Sequence, residues 1–337
     1  MDKINRFITF TGVRKAEMAE TPRVDPPDTS RMVFIRTYLS LVSPGTELAF
    51  FEGSHTDLKT GARAYPASSG YSAVGTVLET GREVADVKPG DFIVTMCGHC
   101  DQGWTNTWER IPDGVTPEQA VFAILGSIAL HGVRSSELQI GMKVFVSGLG
   151  VIGQMAAALC HTGGADVITG ADVYPFRRET AAGYGADLLV SPDDPAYTEK
   201  ALDATGGKGY DILIVANGVP DSIPAALKLV APKGRIVILG CPHGNVGIDF
   251  YTELQRKEIR ILGSYQPCCP DLATPYYPWN KASNRNLILR YQQKKRFDFS
   301  KLITHKGRPE DAQRFFDLLS REKNQCITAA FQWENAK

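Results

Sequence analysis

The string SGLGVIG sets Gly148, Gly150 and Gly153 in a G-x-G-x-x-G pattern, with Leu149, Val151 and Ile152 between them. Taken alone the string is weak, but its setting is specific. It follows a short apolar run, KVFVSG, and opens VIGQMAAALCHTGG, whose apolar spacing and closing glycines read as a helix. There each glycine has a physical task. Gly148 makes the tight turn, Gly150 lets a pyrophosphate approach the backbone, and Gly153 lets the helix lie close to the strand. The phosphates then meet the exposed N–H groups of the helix N-terminus. Asp172 closes the next apolar run, DVITGAD, 19 residues beyond Gly153. A carboxylate about 20 residues on accepts a hydrogen bond from the adenosine ribose 2′-hydroxyl and repels a 2′-phosphate, which favours NAD over NADP. Arg177 and Arg178 follow closely and are the side chains that could instead hold such a phosphate.

The elements that position this turn alternate. After KVFVSG come DVITGAD, DLLV, YDILIVANG, GRIVILG and EIRILGS as near-continuously apolar strands, with helices such as PFRRETAAGYG and DSIPAALKLVAPKG between some of them. That alternation predicts a doubly wound parallel sheet covered on both faces, a Rossmann domain over about residues 126–265. Asn217, Gly240, Gly263 and Ser264 end successive strands, where open α/β sheets bind their ligands, and are expected to line the nicotinamide and its ribose. The first third is different. MVFIRTYLSLV, SAVGTVLETG and DFIVTMC read as irregular strands broken by Gly and Pro. Beyond residue 265 a Pro-rich aromatic loop leads to two amphipathic helices and a short strand, ITAAFQW. This tail is too short to stand alone and is expected to fold back onto the first third, giving one discontinuous domain, 1–125 with 266–337.

Composition narrows the function. The chain has 337 residues and a formal net charge of zero, so no basic field invites nucleic acid or an anionic membrane. No apolar run reaches the roughly 18 residues of a membrane span. The start, MDKINRFITF, lacks a secretory pattern. Seven cysteines without a framework spacing suit a reducing, cytoplasmic setting. Cys97 and Cys100 form a C-x-x-C in MCGHC, but no second pair of ligands follows, so two inert thiols are expected rather than a metal site.

One stretch asks a further question. YPASSGYSAVG, residues 65–75, is almost all small residues around a single phenol, Tyr71. With SPGTELAFFEG (43–53), SSGYSAVGTVLETG (68–81), KPGD (88–91), ALHGV (129–133), GLGVIG (148–153) and GRIVILG (234–240), the chain resembles the medium-chain dehydrogenase/reductase superfamily over nearly its whole length. The resemblance implies a GroES-like irregular β catalytic domain followed by the Rossmann domain. In zinc-dependent members the segment similar to SGYSAVG carries Gly-His-Glu, whose His binds zinc. Tyr71 stands for that His here and Ser72 for the Glu. Where members have Cys-Gly-Thr-Asp, this chain has Pro44, Gly45, Thr46 and Glu47, and the third ligand position falls at about Ile124 or Leu125. The four-cysteine structural zinc lobe is missing as well. A branch without zinc is expected.

Without a metal to polarise the substrate oxygen, protein groups must stabilise it and carry its proton. Tyr71 is the first candidate. Thr46 matches the hydroxyl that relays protons in relatives, Glu47 matches an acid behind the ligands, and His99 lies in a loop where zinc-less relatives often have a polar residue. Tyr276 and Trp279, with Tyr277 beside them, offer aromatic faces for a sugar or ring. The expected activity is NAD-dependent interconversion of a secondary alcohol and a ketone on a sugar, polyol or cyclitol, by a homodimer. The alternatives are an NADPH-dependent quinone or enone reductase, and a nucleotide-binding sensor that lost its chemistry.

Overall fold

The hydrophobic strands of the first third cannot hide both faces alone. A computed structural model, which describes residues 4–333, divides the chain into two units: Met1–Leu125 with Arg285–Lys337, and Gly126–Asn284. In the first unit the strand Val33–Leu41, buried along almost its whole length, is the hinge of a seven-stranded sheet. It pairs antiparallel with Ala73–Thr80 and, over its early residues, with Gln102–Thr105. Its late residues pair with the C-terminal strand Thr328–Gln332, which in turn runs parallel to Ile303–Gly307. The hairpin Ile4–Gly12 and Lys15–Pro22, with the short strand Ala67–Ser68, makes a second sheet.

Helix Pro44–Phe51 begins with proline in its first turn, a position that needs no N–H donor. Its buried face is Glu47, Leu48, Phe50 and Phe51. Helix Ala312–Arg321 turns Phe315, Phe316 and Leu319 inward at helical spacing. Phe10, Phe51 and Phe316 meet there, with Phe331 and Trp333 from the last strand and its end, in one core cluster. A buried ion pair ties the start of the returning segment to the sheet. The Arg285 guanidinium lies 2.8 Å from Glu109 Oε1, and Asn286 donates to the other carboxylate oxygen. Burial pushes the Glu109 carboxyl up, and Arg285 opposes that shift.

In the second unit the strand order is Leu188–Val190, Val167–Ala171, Lys143–Ser147, Tyr210–Val215, Val230–Ile238, Arg260–Gly263, all parallel. The chain therefore starts in the middle, winds one way, returns and winds the other. The strands are apolar because both faces are covered. Phe145, Leu213, Val215 and Ile236 pack with Leu227, Leu229 and Tyr210.

One expected boundary moves. Residues 266–284, assigned from sequence to the catalytic domain, cluster with the parallel-sheet unit. The reason is side-chain chemistry with the helix Ala123–Ser135. His131 Nδ1 is 3.0 Å from Tyr277 Oη, and the Arg134 guanidinium lies 4.4 Å from the Trp279 ring and donates to Asn284. The helical pattern beginning near 117 is also two helices, Pro117–Ala120 under a Thr116–Gln119 capping box and Ala123–Ser135.

Arg285→Ala leaves Glu109 buried without its cation. The expected loss is about 3–5 kcal/mol, read as a lower urea midpoint. An unchanged midpoint would show that the pair does not hold the returning segment.

Candidate active site

Glu47 sits in the first turn of helix Pro44–Phe51 and is only 2% exposed. A carboxylate so deep needs donors on both oxygens, and three segments supply them. Ser43 N–H donates to Oε1 at 2.7 Å. Gly70 N–H reaches Oε2 at 3.2 Å, and His99 Nε2 lies 2.9 Å from the same oxygen. His99 Nδ1 is 2.8 Å from Ser40 Oγ, and Trp333 Nε1–H donates to that hydroxyl at 2.9 Å. One proton arrangement satisfies every atom. Trp333 donates to Ser40, Ser40 donates to His99 Nδ1, and His99 Nε2–H donates to Glu47.

Tyr71 follows directly. Its hydroxyl donates to Ser43 Oγ in a short hydrogen bond. Ser43 occupies the N-cap position of the Glu47 helix, yet its side chain makes no capping bond. Its hydroxyl serves Tyr71 while its N–H serves Glu47. Gly70 has φ 76°, a left-handed conformation, and a Cβ there would fall 2.7 Å from His99 Cγ and from His99 N. A Cβ at Gly75 would fall 2.2 Å from Arg36 O in the paired strand. Ser69 Oγ donates to Ile8 O and Ser72 Oγ to Val121 O. The small residues of YPASSGYSAVG are thus what lets this bend thread between a strand and the His99 loop.

In the parallel-sheet unit the glycine turn is formed at the carboxyl edge of the central strand. Gly148 has φ 92°, and a Cβ at Gly153 would lie 1.9 Å from Gly148 O, so turn and helix lock together. At Gly150 the nearest atom to such a Cβ is Arg177 Nη1 at 3.9 Å, which leaves the backbone approachable. Val151 and Ile152 begin the helix Val151–Thr162. Asp172 Oδ2 accepts from Leu149 N–H at 2.8 Å and Oδ1 from Tyr174 N–H at 3.0 Å. Arg177 Nη1 lies 3.9 Å from Asp172 Oδ2, and Arg178 donates to the Asp172 carbonyl. Asn217 bridges to Ser147 O and Oγ, while Gly240 N–H donates to Val215 O and Ser264 N–H to Ile238 O. Gly263 ends the edge strand. All four therefore stand along one carboxyl edge. In the 265–284 loop, Tyr276 is 99% exposed, whereas Tyr277 and Trp279 pack edge to face against each other. Burial lowers the His131 pKa and raises that of Tyr277.

The structure brings Glu47, His99 and Tyr71 into one network. Thr46 lies in the helix rather than at a strand end, and among the described residues no hydrogen bond ties its hydroxyl to that network. Ser43, Ser40 and Trp333 escaped the sequence reading. Ser43 carried a signal, since Ser before Pro at a helix start marks an N-cap. Ser40 and Trp333 carried none. Glu47→Gln places an amide N–H₂ against these donors. The expected loss is about 2 kcal/mol or more, seen as a lower thermal midpoint. A midpoint equal to the parent's would remove Glu47 as the anchor.

Comparison with known proteins covers both units. Residues 45–123 match the family model for the alcohol dehydrogenase GroES-like domain, and residues 151–275 match that for zinc-binding dehydrogenase. An L-threonine 3-dehydrogenase of Pyrococcus abyssi is 24% identical over 77% of this chain and 82% of its own length. A D-guloside 3-dehydrogenase of Escherichia coli is 31% identical over 63% of this chain and 62% of its own. The solved 2R,3R-butanediol dehydrogenase of Bacillus subtilis superposes with a TM-score of 0.80 at 20% identity, covering 98% of this chain and 100% of that one, a likeness of fold. With the glycine turn, the parallel sheet and the two family matches in their expected order, the chain belongs to the medium-chain dehydrogenase/reductase superfamily of oxidoreductases.

Proposed function

We propose that this oxidoreductase interconverts a secondary alcohol and a ketone on a sugar, polyol or cyclitol, with NAD as cofactor and without bound zinc. The observation that carries the reading is the Tyr71 hydroxyl. It donates to Ser43 Oγ at the position where zinc-dependent members carry a histidine ligand. Zinc takes thiolate, imidazole or carboxylate. The matching positions hold Pro44, Tyr71 and Ile124 or Leu125, the last two at 2% and 0% exposure among apolar neighbours. Among the described residues no group of three or more His, Cys, Asp or Glu is placed to hold a metal ion. This donor set does not suit the ion, so no step runs through it.

A nicotinamide cofactor, when bound, supplies the acceptor or donor of hydride. The protein does the rest. The turn Gly148–Gly153 offers its N–H groups to the phosphates, and Asp172 accepts from the ribose. Asn217, Gly240, Gly263 and Ser264 flank the ring along the carboxyl edge. In ketone reduction the Tyr71 O–H turns from Ser43 Oγ and gives its proton to the carbonyl oxygen, and the phenolate, held by the Ser43 hydroxyl, regains its proton from solvent. In alcohol oxidation the proton travels the other way. Glu47 and His99 position Ser43 and the Gly70 bend and need not exchange protons with substrate. Tyr276 and Trp279 are assigned to substrate contact through their ring faces.

The names of the relatives, dehydrogenases of threonine and of a guloside, favour alcohol chemistry over an enone reductase or a silent sensor. Asp172 counts against a 2′-phosphate, with Arg177 as the competing feature. We further propose a cytoplasmic homodimer joined along the edge strand Arg260–Gly263, acting on small molecules and on neither nucleic acid nor membrane. No described helix is long and apolar enough to cross a membrane.

Tyr71→Phe removes the proton carrier and little volume. Turnover of the cognate polyol, found by screening polyols and sugars with NAD, is expected to fall by roughly 10²–10⁴. NADH affinity by fluorescence titration should not change. Undiminished turnover would refute the role. For Asp172→Ser, the NADH dissociation constant should rise roughly tenfold or more while NADPH gains affinity; an unaltered preference would remove Asp172 as the selector.

A further inference from the structure

The C-x-x-C in MCGHC is used by nothing described so far, and it encloses His99. Cys97 Sγ and Cys100 Sγ are 3.4 Å apart, a thiol hydrogen bond. Both sulfurs lie against the bare backbone of Gly103, where a Cβ would come within 3.2 and 3.5 Å of them. Cys97 is buried and Cys100 partly exposed. The hydrogen bond from Cys100 pulls the Cys97 thiol down, and the same contact with burial pushes Cys100 up. Between them the His99 backbone is pinned on both sides, its carbonyl accepting from Ile8 N–H at 2.8 Å and its N–H donating to Ser69 O at 3.0 Å.

We propose that Cys97 and Cys100 form a reversible dithiol–disulfide site for a small hydroperoxide, and that closing it withdraws His99 from Glu47. The Cys97 thiolate attacks one peroxide oxygen, the O–O bond breaks, and hydroxide leaves and takes up the proton that the Cys97 thiol gave up, giving a sulfenic acid and one water. Cys100 sulfur then attacks Cys97 sulfur. The S–O bond breaks, water leaves with the Cys100 proton, and the S–S bond forms. The two sulfurs lose two electrons and one peroxide becomes two waters. A disulfide needs its sulfurs about 2.05 Å apart, so the pair at 3.4 Å must close by more than an ångström. A shift of roughly half that in the intervening turn stretches the 2.9 Å His99–Glu47 bond beyond hydrogen-bond range. The proposed effect on turnover rests on the dehydrogenase reading above; formation of the bond does not.

The test treats the full chain with hydrogen peroxide, blocks remaining thiols with iodoacetamide in denaturant, and digests with trypsin without reduction. The peptide Glu83–Arg110 holds these two cysteines and no other, because Lys88 is followed by Pro89 and resists cutting. The expected peptide is about 2 Da lighter than the reduced form, carries no carbamidomethyl group, and reverts with dithiothreitol. Turnover should fall roughly tenfold or more in step with it, recover on reduction, and hold steady in peroxide for Cys97→Ser with Cys100→Ser. Two alkylated thiols in that peptide, at doses that oxidise the exposed Cys241 and Cys268, would overturn the site. A disulfide formed with unchanged turnover would overturn its link to His99. If the reduced chain turns over no alcohol, the function reading fails separately. The link is then read from the His99 imidazole NMR signals, which should shift on oxidation and whose constancy would contradict it.

Discussion

The catalytic unit is organised around one buried carboxylate. Glu47 can exist at its depth only because Ser43 N–H, Gly70 N–H and His99 Nε2 converge on it. These belong to a helix start, a small-residue bend and a loop after a strand. A buried carboxylate with one oxygen unsatisfied costs several kcal/mol, so the three segments are held at one spacing. That spacing sets the position of Tyr71, whose backbone follows Gly70 and whose hydroxyl meets Ser43. The far end of the chain joins the same network. Trp333 donates to Ser40, and Phe331 meets the His99 ring edge on at 5.0 Å.

The parallel-sheet unit solves a related problem with backbone alone. Gly148 and Gly153 remove the side chains that would keep strand and helix apart, and the first helical N–H groups are left facing outward. Asp172 has two tasks. It accepts from Leu149 N–H, which stiffens the glycine turn, and from Tyr174 N–H, which shapes its own loop. Each carboxylate oxygen keeps a further lone pair, so fixing the turn and accepting a ribose hydroxyl are compatible.

The glycine turn and the parallel sheet were legible in the sequence because their signals are local. The turn, its strand and its helix lie within about thirty residues, and each glycine type follows from its own φ or its own crowding. Tyr71, Glu47 and His99 were singled out one by one, Tyr71 at a position where zinc-dependent members have a ligand, Glu47 where they have an acid behind the ligands, and His99 in a loop that is often polar in zinc-less relatives. Their connection was not legible. Positions 40, 43, 47, 70, 99 and 333 meet only through sheet pairing and the returning C-terminal strand, and no spacing encodes that. Thr46 was singled out by residue type alone, and it lies in the helix Pro44–Phe51 with no hydrogen bond from its hydroxyl to this network among the described residues. The aromatic loop 266–284 was placed with the wrong unit. Its allegiance is decided by His131 and Arg134, more than a hundred residues earlier.

We propose that the Tyr71 phenol, hydrogen-bonded to Ser43 beside the buried Glu47, does the work that a metal does in zinc-dependent members of the superfamily. The most direct test is turnover of the cognate polyol by protein stripped with a strong chelator, with zinc measured by elemental analysis on the same sample. The account predicts full activity at zinc far below one per chain. Activity lost with the metal and restored in proportion to added zinc would contradict it.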